Sequence, residues 1–345
     1  MARTIVIGDI HGCWDELRDL FDALALTDDD LVVSVGDLVD RGPEPVAVVD
    51  WFRGRANAVV VCGNHERKHV RGTLSYGQHI VRHQFGARYT DAVAWMGTLP
   101  YAWETDAVRV VHAALIPGVP LADTPEDILC GSTSGTERLE KRLAPTSGGR
   151  PWHELYTDEK PVVFGHIVVG PEPLVRDGRV YGIDTGACHG MRLTALVLPT
   201  FELVSVPSRG DHWTTTKRTW QVPILRERAW GQMTFEQLDR KARELAVGMD
   251  AEARAWLDDM RTWAVAVQEA IPTVAAALDA EIVRITVEHG EAGFAAAAAA
   301  HPANATLFAR RAGRLQTDHL GCPGPDAVFA LATRLGITLP VPQTP

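Results

Sequence analysis

The sequence predicts an α/β protein that carries an added all-α region in its C-terminal third. In the first two hundred residues, short runs rich in Val and Ile alternate with amphipathic stretches, which is the pattern of a layered α/β core. Most of these runs end in a glycine followed by a polar residue that can bind a metal or a phosphate. From Phe235 onward, apolar residues recur at helical spacing instead.

The predicted elements of the first part follow directly from these runs. Six segments read as buried strands, namely TIVIGD, DLVVSVGD, AVVVCGN, VRVVHA, PVVFGH and RVYGIDTG. Two amphipathic stretches between them predict helices, one with Leu17, Leu20, Phe21 and Leu24 on its apolar face, the other with Val46, Val49 and Phe52. The polar segment around Ser208 to Thr219 ends this pattern, so we expect a first domain over 1–208 and a linker over 209–234.

The C-terminal region, 235–345, is expected to be a helical domain. Its clearest helix has Asp250 as N-cap and Pro272 as its end, and its apolar stripe consists of Trp256, Met260, Trp263, Val267 and Ile271. Further helices are predicted over 273–289, 291–300, 303–315 and 325–335. The tail contains no chemical motif, so it is either a recognition module, with Trp213, Trp220 and Trp230 as stacking surfaces, or a packing or dimerisation appendage.

Composition excludes several classes of protein. A net charge of −10 over 345 residues argues against a mainly electrostatic nucleic-acid binder. Five scattered cysteines without a C-x-x-C spacing are typical of reduced thiols in the cytoplasm. The sequence has neither a signal-peptide pattern nor an apolar run of membrane-spanning length, so we expect a cytoplasmic protein that does not associate with a membrane. Nothing in the sequence indicates an obligate protein partner.

Metal-ligating side chains follow the predicted strands. The predicted ligands are Asp9, His11, Asp37, Asn64, His112 and His166. This mixed set of carboxylate, amide and imidazole donors suits Mn²⁺, Fe or Zn²⁺ and has no thiolate that would select a softer ion. A centrally placed carboxylate could bridge two ions about 3.5–4 Å apart. We therefore expect two divalent ions, with Mn²⁺ as the first choice.

The motifs D-x-H-G, G-D-x-V-D-R-G and G-N-H-E occur in this order and resemble those of the calcineurin-like metallophosphoesterases. More narrowly they resemble the branch that phosphoprotein phosphatases share with symmetrical bis(5′-nucleosyl)-tetraphosphatases. The resemblance covers about residues 3–207 and implies a β-sandwich flanked by helices, with its site at the carboxyl ends of the strands. The segment from Gly165 to Pro207 is similar to the phosphatase module of bacterial polynucleotide kinase–phosphatases.

The resemblance also implies a role for each motif residue. Asp9 and His11 would bind metal one, Asp37 would bridge the ions, and Asn64, His112 and His166 would complete metal two. Arg41 would clamp the phosphate, and His65, oriented by Asp40, would be the general acid. This division suits the chemistry, since two cations and a guanidinium neutralise a phosphoester, a metal-activated hydroxide attacks phosphorus, and an imidazole protonates the leaving group.

Four further residues are candidates on weaker signals. Asp184 in YGIDTGA is expected to support the metal centre or to be a ligand, the alternative being a turn residue. Arg67, Lys68 and Arg71 could present positive charge to a polyphosphate or an RNA end, the alternative being an ordinary solvated helix face.

The predicted function is hydrolysis of phosphate esters or anhydrides in nucleotide-type substrates, either dinucleoside polyphosphates or RNA-end phosphates. A serine/threonine protein phosphatase is the alternative. It is weakened by Cys62, where that class usually has arginine, and by the sequence HAAL after the predicted strand. A third hypothesis is a non-catalytic protein that binds nucleotides or a partner. The complete set of predicted ligands argues against it.

Overall fold

The computed structural model describes residues 3–322 and 324–339 of the chain, and these fall into two compact units. The first unit is Met1–Trp220 and the second is Gln221–Pro345. The boundary between them lies inside the segment 209–234 that the sequence suggested as a linker, and a helix occupies much of that segment.

The first unit contains ten strands and most of the shorter helices. The strands are β1 (Thr4–Ile7), β2 (Leu31–Ser34), β3 (Ala58–Val60), β4 (Ala102–Glu104), β5 (Arg109–Val111), β6 (Val162–Phe164), β7 (Leu174–Arg176), β8 (Val180–Gly182), β9 (Arg192–Leu198) and β10 (Glu202–Pro207). The helices are α1 (Trp14–Leu24), α2 (Pro45–Gly54), α3 (Asn64–Val70), α4 (Tyr76–Phe85), α5 (Tyr89–Met96), α6 (Glu126–Leu129), α7 (Thr133–Ser147) and α8 (Trp152–Leu155). Helix α9 (His212–Arg226) begins in this unit and ends in the second.

The strands form two five-stranded mixed sheets, in the orders β10-β9-β1-β2-β3 and β4-β5-β6-β8-β7. Strands β1, β2 and β3 run parallel in the first sheet, and β5, β6 and β8 run parallel in the second. Valines of both sheets, including Val6, Val33, Val110 and Val163, share one buried cluster, so the sheets pack face to face. The predicted β-sandwich flanked by helices is confirmed.

Side-chain alternation in β1 explains how helices and sheets share the core. Ile5 and Ile7 point to the cluster that contains the apolar face of α1, whereas Val6 points to the cluster between the sheets. The predicted helical residues Leu17 and Phe21 are buried in the same cluster as Ile5 and Ile7. Both faces of the sheet are therefore covered, which is why its strands read as continuous apolar runs.

The second unit is helical and has its own buried cluster. It contains the helices α10 (Phe235–Ala246), α11 (Ala251–Ala299), α12 (Asn304–Arg311) and α13 (Pro325–Arg334). The apolar stripe predicted from Trp256 to Ile271 is buried in that cluster, and Asp250 caps α11 by accepting a hydrogen bond from Ala253 N at 3.0 Å. Trp230 is also part of this core and is only 4% exposed, so its suggested use as a stacking surface is wrong.

The predicted end of a helix at Pro272 is wrong as well. Helix α11 continues through Pro272 to Ala299, and its backbone departs from helical geometry at Gly290, where φ is 72°. Proline inside a helix removes one hydrogen bond and costs about 3 kcal/mol. Val267 before Pro272 and Val274, Ala275 and Leu278 after it are all buried in one cluster, so continuous packing offsets that cost. In the described residues, no helix combines the length and the apolar character needed to cross a membrane.

Candidate metal centre

Six predicted ligands lie where parallel strands end. Asp9 and His11 follow β1, Asp37 follows β2, Asn64 begins α3 after β3, His112 follows β5 and His166 follows β6. Because parallel strands end at the same edge of a sheet and the two sheets pack together, these side chains meet at one edge of the sandwich. The structure brings all six together.

Asp37 lies in the middle of this set. One of its carboxylate oxygens is 3.5 Å from His11 Nε2, and the other is 3.4 Å from His112 Nε2. Two groups of potential metal ligands share this residue, one with His11 and His65 and the other with Asp9 and His112. In each group the ligand atoms lie within 4.8 Å of one another. The geometry therefore places Asp37 between two candidate cation positions.

Asn64 is the meeting point of the other ligands. Its Oδ1 lies 3.0 Å from His112 Nε2 and 3.0 Å from His166 Nδ1. The backbone N–H of His166 donates to the carboxylate of Asp9 at 3.1 Å, which joins the end of β6 to the end of β1. Amide and imidazole donors thus converge around a single point beside Asp37.

Backbone carbonyls fix the orientation of two histidine rings. His11 Nδ1 lies 2.8 Å from the carbonyl of Val39, and His112 Nδ1 lies 3.0 Å from the carbonyl of Val35. An N–H at Nδ1 is needed for each contact, so Nε2 of each ring is directed to the centre, as in most histidine metal ligands.

The electrostatics of the centre favour a bound cation. Burial, together with the charges of Asp184 and Asp37, raises the pKa of Asp9 well above its usual value. Burial also raises the pKa of Asp184, whose carboxylate is 3% exposed and accepts a hydrogen bond from Gly186 N. Several carboxyl groups buried together are costly unless positive charge compensates them. Divalent cations would supply that charge, so the residues present fit a metal centre.

His112 is the imidazole most affected by the Asp37 carboxylate. Burial alone would lower its pKa, but the adjacent Asp37 carboxylate outweighs burial and raises the pKa of His112 to about 10. Since Val35 O and Asn64 Oδ1 are both acceptors, each ring nitrogen of His112 needs a proton to satisfy its contact. Nε2 is the ring nitrogen with which His112 would bind an ion.

His65 and Asp40 form a hydrogen-bonded pair at the edge of the centre. His65 Nδ1 is 2.5 Å from Asp40, which is 1% exposed. His69 Nε2 lies 3.0 Å from the other oxygen of Asp40, and Gln78 Nε2 also donates to this carboxylate. Burial would raise the pKa of Asp40, but the charges and hydrogen bonds of His65 and His69 hold it below its usual range. Asp40 is therefore a carboxylate that orients His65.

Arg41 completes this side of the centre. Its Nη1 is 3.0 Å from His11 Nε2, and its Nη2 is 3.1 Å from His65 Nε2. The guanidinium thus contacts both histidines of one ligand group and carries positive charge where a phosphate would approach.

The loops of the centre have unusual backbone geometry. Eight described residues other than glycine have positive φ, and five of these belong to the predicted site, namely His11, Asp37, Asp40, Arg41 and His166. Each such residue costs about 1–3 kcal/mol and persists only when the surrounding structure fixes it. Gly42 allows its loop to approach the loop of His11 closely, since a Cβ at this position would lie 1.9 Å from the carbonyl oxygen of His11.

Sequence reasoning missed Glu66, which is 0% exposed and holds the loop after β2. Its carboxylate accepts hydrogen bonds from the backbone N–H groups of Asp37 at 2.9 Å, Leu38 at 2.8 Å and Gly63 at 3.0 Å. The available signal was its place as the third residue of a helix that begins after Gly63, where glutamate commonly bonds back to the preceding backbone. His69 and Gln78, which contact Asp40, gave no signal in the sequence.

Three predicted substrate-binding residues lie beside the centre, Arg67 and Lys68 on α3 and Arg71 directly after its last residue. Arg67, Lys68 and Arg71 line a pocket of about 300 Å³ together with Asn64. Arg67 is buried, whereas Arg71 is exposed. The cysteines next to the motifs, Cys13, Cys62 and Cys188, are buried free thiols.

Comparison with known proteins agrees with this geometry. The calcineurin-like phosphoesterase family profile matches residues 2–190. Relatives named bis(5′-nucleosyl)-tetraphosphatase PrpE [asymmetrical] are 30% identical over 240 residues in Halalkalibacterium halodurans and 31% identical over 248 residues in Geobacillus thermodenitrificans. These alignments cover 59% and 62% of this chain and 93% and 98% of the relatives.

Solved structures give a likeness over a similar part of the chain. The structure of a candidate diadenosine tetraphosphatase is 28% identical, with a TM-score of 0.49, and the match covers 60% of this chain and 94% of that one. The family match extends over more than half of the chain and includes each of the strand-end ligands described above. The chain therefore belongs to the calcineurin-like phosphoesterase family, whose members are metal-dependent hydrolases of phosphate ester and anhydride bonds.

Proposed function

We propose that this protein hydrolyses phosphoanhydride bonds in nucleotide-type substrates, with dinucleoside polyphosphates as the first candidate, and that it uses two divalent ions, preferably Mn²⁺. The observation that carries the proposal is that two groups of potential ligands share Asp37, with the Arg41 guanidinium in contact with His11 and His65 of one group. The tetraphosphatase names of the relatives favour a nucleotide substrate over a phosphoprotein.

The ligands divide around Asp37. The family resemblance assigns Asp9 and His11 to the first ion, Asn64, His112 and His166 to the second, and Asp37 to both. The contacts of Asn64 Oδ1 with His112 and His166 support the second set, and Asp37 is the residue that the His11 and Asp9 groups share. Bound there, the ions would neutralise charge on the phosphate and activate the water that attacks phosphorus.

Arg41 would bind the phosphate that reacts. Its guanidinium is held next to two imidazoles, so its donors lie in place before the substrate arrives. A planar guanidinium can donate two parallel hydrogen bonds to phosphate oxygens, and these bonds strengthen as charge develops in the transition state.

His65 would donate the proton to the leaving group. Water forms the new bond to phosphorus, the bond to the leaving oxygen breaks, and the proton from His65 Nε2 goes to that oxygen when it is a strong base. The Asp40 carboxylate at Nδ1 stabilises the protonated ring and fixes its orientation.

A substrate panel with Mn²⁺ tests the proposal. It contains diadenosine tetraphosphate, an oligonucleotide with a 3′-phosphate, a 2′,3′-cyclic nucleotide and a phosphoserine peptide. We expect the highest kcat/KM for diadenosine tetraphosphate, and loss of all activity in chelator with recovery in Mn²⁺. A kcat/KM for the phosphopeptide far above all nucleotide substrates would instead identify a protein phosphatase, and activity that survives exhaustive chelation would contradict the two-metal assignment.

A further inference from the structure

A pocket of about 300 Å³ lies next to the candidate metal centre, between α3 and the start of α7. Asn64, an expected metal ligand, forms part of its wall. Lys68 on α3 and Arg71, which caps the end of α3 in helical conformation, follow Asn64 at spacings of four and seven residues and line the same pocket. Thr133 and Ser134, the first residues of α7, form the opposite wall.

Arg67 gives this pocket a buried positive charge. The side chain lines the pocket and the residue is only 6% exposed. Its Nη1 contacts Cys130 Sγ at 2.9 Å and its guanidinium lies over the ring of Tyr101, so both contacts are to groups other than carboxylates. Its buried Nε has no hydrogen-bond acceptor among the residues that the structure describes. A buried guanidinium with a donor left over is costly unless an anion compensates it.

The other groups in the pocket wall also favour an anion. Over 3–322 and 324–339, no carboxylate pairs with Lys68 or Arg71. Ser132 caps α7 by accepting a hydrogen bond from Gly135 N, while the N–H groups of the first turn have no partner within the helix. The N-terminal end of a 15-residue helix such as α7 attracts negative charge.

Gly131 determines how close α7 comes to the metal centre. A Cβ at this position would lie 2.7 Å from the imidazole of His166, and the backbone has a φ of 67°. Only glycine allows this approach, so the first turn of α7 and the pocket begin directly beside an expected ligand of the second ion.

We propose that this pocket binds a phosphate group that does not react, next to the phosphate held at the metal centre. The inference rests on the proposed function and deepens it, since it assigns the chain a preference for substrates with at least two linked phosphates. A monoester such as p-nitrophenyl phosphate leaves this pocket without a phosphate, whereas a dinucleoside polyphosphate fills it.

The first test compares two substrates with Mn²⁺ in the full-length protein. The double variant Lys68→Ala/Arg71→Ala removes two positive charges from the pocket wall. We expect the ratio of kcat/KM for diadenosine tetraphosphate to kcat/KM for p-nitrophenyl phosphate to fall about 100-fold, since each charge-assisted contact is worth roughly tenfold. The matched control Lys141→Ala/Arg142→Ala removes two exposed charges from the later part of α7 and keeps the wild-type ratio. An unchanged ratio in the first variant overturns the proposal.

A second variant separates phosphate binding from stability. Ser134→Glu places a negative charge in the first turn of α7, where it stabilises a helix. We expect the ratio to fall by about tenfold or more because the carboxylate repels a bound phosphate. If this turn has only a structural role, Ser134→Glu keeps the wild-type ratio of the two kcat/KM values, whether or not the protein becomes more stable. That result contradicts the subsite.

A binding experiment distinguishes failure of the subsite from failure of the proposed function. Titration calorimetry measures inorganic tripolyphosphate binding to the full chain in chelator, where the metal centre contributes no cations. We expect Kd to rise at least about tenfold in Lys68→Ala/Arg71→Ala and to stay constant in the control. If the wild type binds tripolyphosphate in this way but does not cleave diadenosine tetraphosphate, the subsite stands and the proposed substrate is wrong. If it cleaves diadenosine tetraphosphate while both variants behave as wild type, the function stands and the subsite is wrong.

Discussion

Asp37 is the residue on which both candidate ion positions depend. Its two oxygens face His11 and His112 separately, so we expect Asp37→Ala to lose most of both ions and essentially all activity. Elemental analysis of dialysed protein measures the number of ions per chain. Asp40→Asn is the matched control, since its oxygens contact His65, His69 and Gln78, and we expect it to keep the metal while losing activity. Two ions per chain in Asp37→Ala would show that this carboxylate does not bridge.

His65 affects the reaction and should leave metal content nearly unchanged. We expect His65→Ala to lower kcat for phenyl phosphate by roughly 10²–10⁴, the usual contribution of a general acid. The loss should be much smaller for p-nitrophenyl phosphate, whose leaving group needs no proton. Steady-state kinetics on this matched pair of substrates measure the difference. Equal losses on both substrates would exclude proton donation and leave His65 a binding or positioning role.

At this scale the sequence predicted which side chains the fold brings together, and it missed the residues that support them. Asp9, His11, Asp37 and His166 each follow an apolar run, and parallel strands of one sheet end at the same edge. His69 and Gln78 were missed because their contacts with Asp40 depend on how α3 and α4 pack, which leaves no local pattern.

Helices α1 and α9 are joined by a partly buried ion pair whose stabilising effect depends on pH. His212 Nε2 lies 2.7 Å from Glu16, which is 0% exposed. Burial would raise the pKa of Glu16, but hydrogen bonds from His212 and the backbone N–H of Arg209 lower it to about 2. The same pair raises the pKa of His212 above its usual value.

Both groups stabilise the fold fully only between about pH 4.5 and 6.5, their ordinary pKa values. Below this window the contribution of Glu16 is lost as pH falls toward its folded pKa. Above the window the contribution of His212 is lost as pH rises through its folded pKa. We expect His212→Asn to lower Tm more at pH 5.5 than at pH 8.5, with a loss of about 2 kcal/mol at the lower pH. The control Arg209→Ala, which breaks exposed ion pairs, should have a small effect that is equal at both pH values. An equal effect of His212→Asn at both pH values would contradict this assignment.

Elements were predicted well where packing and local pattern agree. The stripe from Trp256 to Ile271 has helical spacing and is buried, so both signals coincide. Pro272 carries a strong local signal to end a helix, but apolar residues on both sides of it share one core, and the packing prevails. The Trp and Thr residues of 212–220 suggested a linker because their helix begins with few apolar residues, although it is held to α1 through His212.

At the scale of the whole molecule, the buried apolar clusters of residues 3–322 and 324–339 fall into two separate sets. The clusters around both sheets contain residues up to Val206, and the cluster of the helical unit contains residues from Val222 onward. The proposed metal ligands, Arg41, His65 and the residues of the anion pocket all belong to Met1–Trp220. Each unit thus has a core of its own, and the chemistry is assigned to the first.

This division predicts that residues 1–220 suffice for the reaction. A chain truncated after Trp220 keeps the cores on both sides of each sheet and the His212 contact with Glu16, which a cut after Arg209 would remove. We expect it to bind Mn²⁺, to show a Tm that rises with Mn²⁺ by mass action, and to hydrolyse p-nitrophenyl phosphate with kcat/KM within about threefold of the full chain. KM for diadenosine tetraphosphate should also stay within about threefold, because the stacking candidates Trp213 and Trp220 remain and no residue after Trp220 is assigned to substrate. A rise of more than about tenfold in that KM, with KM for p-nitrophenyl phosphate unchanged, would contradict this prediction. Such a rise corresponds to a loss of about 1.4 kcal/mol in binding of the nucleotide alone, and it would give the helical unit a direct part in substrate recognition.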